Sequence, residues 1–149
     1  MNEFVRRESE KRCDLHKGHE SQRVLSPDYN YVGMLGEWEF GKLVGLFPDF
    51  SEKPGGDNGA DFTIKLSFTV DVKTARRAYN LIHEQGKPFA DIYVLAEYKD
   101  DDDSIMLIGW EWGYCLRNAP TKDFGYGVIN HYISREKLRD INELMERMI

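Results

Sequence analysis

Thirteen consecutive residues, Asp61-Phe-Thr-Ile-Lys-Leu-Ser-Phe-Thr-Val-Asp71-Val-Lys73, alternate polar and apolar without interruption. Strand side chains repeat with period two, so Asp61, Asp71 and Lys73 share one face, while Phe62, Ile64, Leu66, Phe68, Val70 and Val72 share the other. Two carboxylates with an ammonium beside them make an oxygen-rich, charge-balanced cluster suited to holding Mg2+ or Mn2+ against a phosphate. The spacing lets the acids meet. If the chain reverses through Lys65-Leu66-Ser67, Ile64 opposes Phe68 and Asp61 opposes Asp71, with Cβ atoms about 5 Å apart. Carboxylates that close repel one another unless a cation lies between them. The turn has no Gly, Asn or Pro to relieve it. The competing arrangement is one long bent strand, longer than the roughly 10 residues that strands usually reach. The alternative to a site is a solvent-facing strand with ordinary surface charges.

The elements that must position these residues can be read on either side. Gly55-Gly56-Asp57-Asn58-Gly59-Ala60 is a turn that delivers Asp61 to the first strand position; Asp57 competes as a ligand but has the setting of a turn residue. Upstream, Ser26-Pro27-Asp28 opens a helix that ends near Gly45, with Val32, Leu35, Phe40, Leu43 and Val44 as its buried stripe. Glu37 falls at the edge of that stripe and Glu39 nearer its middle. Residues 46–60 read as loop with a short strand at Leu46-Phe47, and residues 74–86 could begin as helix and finish as strand. Residues 90–98 and 105–112 are strands joined by the polar run Lys99 to Ser104. Residues 126–133 add an edge strand, and Arg135 to Met148 a closing helix. Residues 1–25 form a charged N-terminal segment, and 26–149 a single α/β domain around a central sheet.

Asp61 … Asp71-Val72-Lys73 resembles the core motif of the PD-(D/E)XK nuclease superfamily. Glu37-Trp-Glu-Phe40-Gly-Lys-Leu43 is similar to the glutamate-bearing helix that precedes that motif, as in Holliday junction resolvases of archaeal type. Ala60 stands where the motif's proline would be. The resemblance covers residues 26–73 and implies a restriction-endonuclease-like αβββαβ core with a mixed sheet flanked by helices. It further implies a Mg2+- or Mn2+-dependent endodeoxyribonuclease that hydrolyses phosphodiester bonds, structure-directed toward junctions or branched DNA. Its catalytic residues would be Glu37, Asp61, Asp71 and Lys73. The metal ligands would be Asp61, Asp71, the carbonyl of Val72, and Glu37 through water or on a second ion, with Glu39 in reserve. Lys73 would handle the attacking water. Thr74, Arg76 and Arg77, just beyond the motif, would contact nucleic acid. DNA is the expected partner with RNA open as a substrate, and a homodimer would set two sites on two strands. The reading from another class is a non-catalytic nucleic-acid-binding or assembly protein on the same fold.

Composition bounds these readings. With 149 residues, 41% hydrophobic and 13% aromatic, the chain has the size and content for one globular core. No apolar run approaches a membrane span, and the N-terminus carries charges where a signal peptide is apolar. Two cysteines, Cys13 and Cys115, are too few for a disulfide framework, so the expected setting is a reducing cytoplasm. A net charge of −6 excludes a generic nucleic-acid coat protein but not a nuclease, whose binding depends on local patches. Arg6, Arg7, Lys11, Arg12 and Arg23 form one such patch, or a solvated helix face. Asp100 to Asp103 lacks the spacing of a calcium loop and reads as a solvated hairpin tip. Cys13, His16 and His19 lack an evident fourth zinc ligand. His83 and His131 have no partner readable from sequence, and no P-loop, dinucleotide fingerprint or G-x-S-x-G is present.

Overall fold

A computed structural model describes residues 3–7, 28–45, 62–64 and 68–148. The molecule is mixed α/β in three layers: helices, a four-stranded sheet and a three-stranded sheet. Helix α1 spans Tyr29–Val44. Strands β1 (Phe62–Ile64) and β2 (Phe68–Ala75) follow, then β3 (Asn80–Glu84), β4 (Ile92–Lys99) and β5 (Ser104–Trp112). A short helix α2 (Gly113–Arg117) leads to β6 (Thr121–Asp123), β7 (Ile129–Ser134) and the closing helix α3 (Ile141–Met148).

The first sheet runs β1-β2-β4-β5. β1 and β2 are antiparallel, with Phe62 opposite Val70, Thr63 opposite Thr69 and Ile64 opposite Phe68. This is the register of the expected hairpin; the expected pairing of Asp61 with Asp71 lies outside the described residues. β2 and β4 are parallel, so the sheet is mixed, and β5 returns antiparallel to β4. The start of the parallel pair is locked by Asp91, whose carboxylate accepts from the Thr69 amide at 2.9 Å and the Thr69 hydroxyl at 3.1 Å.

The apolar face of β2 does what its pattern predicts. Val70 and Val72 are buried with Ile92, Val94, Ala96 and Trp110 beneath Phe40 of α1 and Leu144 of α3. The polar face departs from expectation at Asp71, which is buried, while Lys73 remains half-buried. The second sheet, ordered β3-β7-β6, packs on this side of the first, with Leu81 of β3 in one core cluster with Tyr93 and Leu95 of β4. The connection from β2 to β4 carries strand β3, and β3 runs on to β4 without an intervening helix. β7, expected at an edge, lies in the middle of its sheet because β3 and β6 flank it. The closing helix begins at Ile141, after a single 3-10 turn at Arg135–Lys137.

Helix α1 starts two residues later than the Pro27 signal suggests. Asp28 stands at its N-cap without a side-chain cap bond, since its carboxylate is taken by Arg76. Gly45 ends the helix in the left-handed region at φ 73°, where a residue with a Cβ is strained. The wheel of α1 puts Glu39 nearer the buried stripe than Glu37, and the structure reverses this. Glu37 is 7% exposed, whereas Glu39 pairs with Lys42 at 3.0 Å. The helix is covered on more than one side: Phe4 of the helical segment 3–7 packs on Trp38 while Phe40 meets the sheet, so a single-stripe wheel misjudges it. Expectations for residues 8–27, including Cys13, His16 and His19, and for Leu46-Phe47 and Asp57, fall outside the described residues.

The acidic run at the β4–β5 turn is more than a solvated tip. Asp103, at φ 52°, turns inward and accepts from Tyr98 at 2.6 Å, with the Tyr31 hydroxyl 2.9 Å from its carboxylate oxygens. Asp100 holds Arg76 at 2.9 Å. The turn thereby ties β4 and β5 to helix α1.

Candidate functional site

The site is built on β2. Alternation sends Asp71 and Lys73 to the face under the second sheet, where Asp71 is opposite Tyr93 of β4 in register and Lys73 opposite Leu95. Asp71 is 7% exposed, and Lys73 Nζ lies 2.7 Å from its Oδ2. The ammonium thus neutralises a carboxylate that would otherwise be buried at considerable cost. Lys73 also stands 5.8 Å from the centre of the Tyr93 ring, and that ring is 5.3 Å from the His83 ring. Asp71, Lys73, Tyr93 and His83 form one cluster between the sheets.

Helix α1 approaches β2 closely from the other face. A Cβ added at Gly36 would come within 2.0 Å of Thr74 Oγ1, so only glycine allows this helix–strand contact. Glu37 follows directly and is buried. The Thr74 hydroxyl is buried without a hydrogen-bond partner among the described residues. The Thr74 hydroxyl therefore faces the helix. Val72 points its side chain into the core, leaving its carbonyl as the group a ligand role would use.

The neighbouring arginines, expected to act together, are separated by the fold. Arg76 makes a two-pronged contact with Asp28 at 2.8 and 3.0 Å, a third bond to Asp100 at 2.9 Å, and lies over Tyr98. These carboxylates raise its already high pKa. Arg76 thus clamps α1 to the β4–β5 turn. Arg77 is exposed and makes no ion pair among the described residues.

Arg77 opens onto a cleft of about 900 Å³ between the two sheets. Lys73, Arg77 and Lys87 line it against one acid, Glu84, giving a cationic surface in a chain of net charge −6. Tyr79, Phe124 and Tyr126 supply aromatic walls. Sequence reasoning missed this half of the site, since Tyr79, Lys87, Phe124 and Tyr126 are far from the motif in the chain. One signal was present in Asp123-Phe-Gly-Tyr-Gly127, a glycine-punctuated aromatic loop. Its Asp123 carboxylate accepts from the amides of Gly125, Tyr126 and Gly127, and those bonds hold it below the usual carboxylate pKa.

His83 lies at the junction of cluster and cleft. It is buried beside Phe89 and Tyr93, with Nε2 3.3 Å from the Lys87 carbonyl and Nδ1 unpartnered among the described residues. Burial, reinforced by the charge of Lys73, pushes its pKa below 6.5. The folded state then binds fewer protons than the unfolded state as pH falls past 6.5, so stability is full above that value and declines below it until the folded pKa is passed. Urea midpoints at pH ~7.5 and ~5.5 should differ in this direction, and His83→Phe should flatten the difference by removing the titrating group.

Among the described residues no group of three or more His, Cys, Asp or Glu stands ready to hold a metal ion; the expected ligand Asp61 is outside them. Among them, too, no helix is long and apolar enough to cross a membrane. No family model, curated protein or solved structure matches this chain.

Proposed function

We propose that the protein is a divalent-metal-dependent endodeoxyribonuclease of PD-(D/E)XK type, cutting phosphodiester bonds in branched or otherwise distorted DNA. The observation that carries this reading is the ion pair of buried Asp71 with half-buried Lys73 on β2, 2.7 Å apart, with Lys73 lining a cationic cleft. A metal would find hard oxygen donors here, the kind Mg2+ and Mn2+ prefer, in Asp71 and the Val72 carbonyl, with Asp61, outside the described residues, as the expected second acid. A bound divalent ion lowers the pKa of its water and neutralises charge on the scissile phosphate. The chain's own residues do the rest. Lys73, released from Asp71, orients the attacking water and stabilises developing negative charge. Arg77 and Lys87 hold flanking phosphates, and Tyr93 and His83 keep Lys73 in place from beneath.

The direct test incubates supercoiled, linear, branched and single-stranded DNA, and RNA, with the protein and Mg2+, Mn2+ or chelator. Metal-dependent cleavage supports the reading. Binding without cleavage under both metals would favour the non-catalytic alternative, which the cationic and aromatic cleft alone would satisfy. Binding should also separate the two arginines. Arg77→Ala with Lys87→Ala should weaken binding and reduce the slope of log affinity against log salt by roughly 1.5, since each phosphate contact contributes ~0.7–0.9. Arg76→Ala should leave that slope unchanged and instead lower stability by about 1 kcal/mol, a modest loss because the clamp is partly solvent-screened.

A further inference from the structure

The cleft contains more aromatic surface than phosphate binding requires. Tyr79 and Tyr126 are 63% and 47% exposed, and both line it, from the segment after β2 and from the loop between β6 and β7. Arg77 and Lys87 lie along the same walls. Neither makes an ion pair among the described residues, and aromatic faces interleaved with such cations are the requirements of an unstacked strand: phosphates meet the cations, and bases lay their faces on the rings. A duplex can offer phosphates to Arg77 and Lys87, but its bases are already stacked inside and have no face to give to tyrosine. The volume, about 900 Å³, suits one or two nucleotide units and not a double helix, falling in the range of pockets that enclose small ligands. The loop carrying Tyr126 is also fastened, because Asp123 takes three of its amides.

We propose that this cleft is a binding groove for single-stranded polynucleotide, stacking bases on Tyr79 and Tyr126 and feeding the unpaired strand toward Lys73. The proposal rests on the nuclease reading for why a strand should enter, though not for the binding itself. It refines the substrate from branched DNA in general to the unpaired segment at a branch, flap or end.

The test measures fluorescence anisotropy in chelator, so that nothing is cut, with a labelled oligothymidylate, an oligouridylate of equal length and a duplex of equal length. The wild type should bind a single strand at least ~10-fold tighter than the duplex, and Tyr79→Ala with Tyr126→Ala should lose ~30-fold or more on the single strand with little change on the duplex. Both tyrosines are exposed, so the double variant should fold. Tyr114→Ala serves as control, for Tyr114 is equally exposed at 63% on α2 and does not line the cleft. The uridylate arm tells whether the strand is DNA, RNA or either, and tight binding of any of these supports the groove. Equal or stronger duplex binding, or an equal loss in Tyr114→Ala, overturns it. Cleavage with duplex preference would sink the groove and leave the nuclease standing; single-strand binding without cleavage in any metal would do the reverse.

Discussion

Asp71→Asn and Lys73→Ala should each reduce metal-dependent DNA cleavage by about 10³-fold or more, the scale on which removing one preorganised charge-stabilising group acts. The two losses should differ in kind. Asp71→Asn keeps the side-chain volume and can still accept from Lys73, but it loses the negative charge that favours a divalent ion, so Mn2+ titration should show weakened binding. Lys73→Ala leaves an unpaired Asp71 carboxylate at a 7% exposed position, which costs stability and should leave metal binding equal or stronger. DNA affinity in chelator should change little in Lys73→Ala, because one cation is a small part of the footprint. Urea unfolding of both variants separates lost chemistry from lost fold. Cleavage undiminished in Lys73→Ala, with the protein folded, would place the chemistry elsewhere on the chain.

Gly36→Ala should destabilise the protein by about 2–3 kcal/mol despite the helix context, in which alanine is favoured over glycine by ~1 kcal/mol. Packing wins because the new Cβ would sit 2.0 Å from Thr74 Oγ1, and either the helix or β2 must yield. Thr74→Ala removes the offending oxygen and also eliminates a buried hydroxyl without a partner among the described residues. In that background the nearest atom to the new Cβ is Thr74 Cβ at 3.1 Å, so the helix propensity gain should reappear and the double variant should approach wild-type stability. A coupling of ~2 kcal/mol in this cycle would establish the contact that seats Glu37 over the site strand. Additive effects would mean that α1 does not rest on Thr74.

Local pattern determined more of this molecule than its length suggests. The β1–β2 register, Ile64 against Phe68, follows from the alternation of residues 61–73, because a one-residue slip would turn Val70 and Val72 out of the core. The strands at 92–99 and 104–112 and the helix stop at Gly45 are equally local. Asp71 and Lys73 were also legible as neighbours on one face, since period two permits nothing else within a strand. Partner choice was decided only by tertiary structure. Arg76 and Arg77 look equivalent in sequence, yet Asp28 and Asp100, from two distant segments, converge on the first and leave the second at the cleft. Glu37 and Glu39 are ranked by which sides of α1 are covered, and a wheel that assumes one covered side cannot know that. The face bearing Asp71 reads as solvated until the second sheet packs on that side; residues 80–84, whose periodicity leaves helix or strand open, and 129–134 do not say in sequence what they cover. Long-range packing sets the dielectric and the neighbours of each charge, and for that reason Asp71 and Lys73 could be read locally as a pair while the cleft beside them could not.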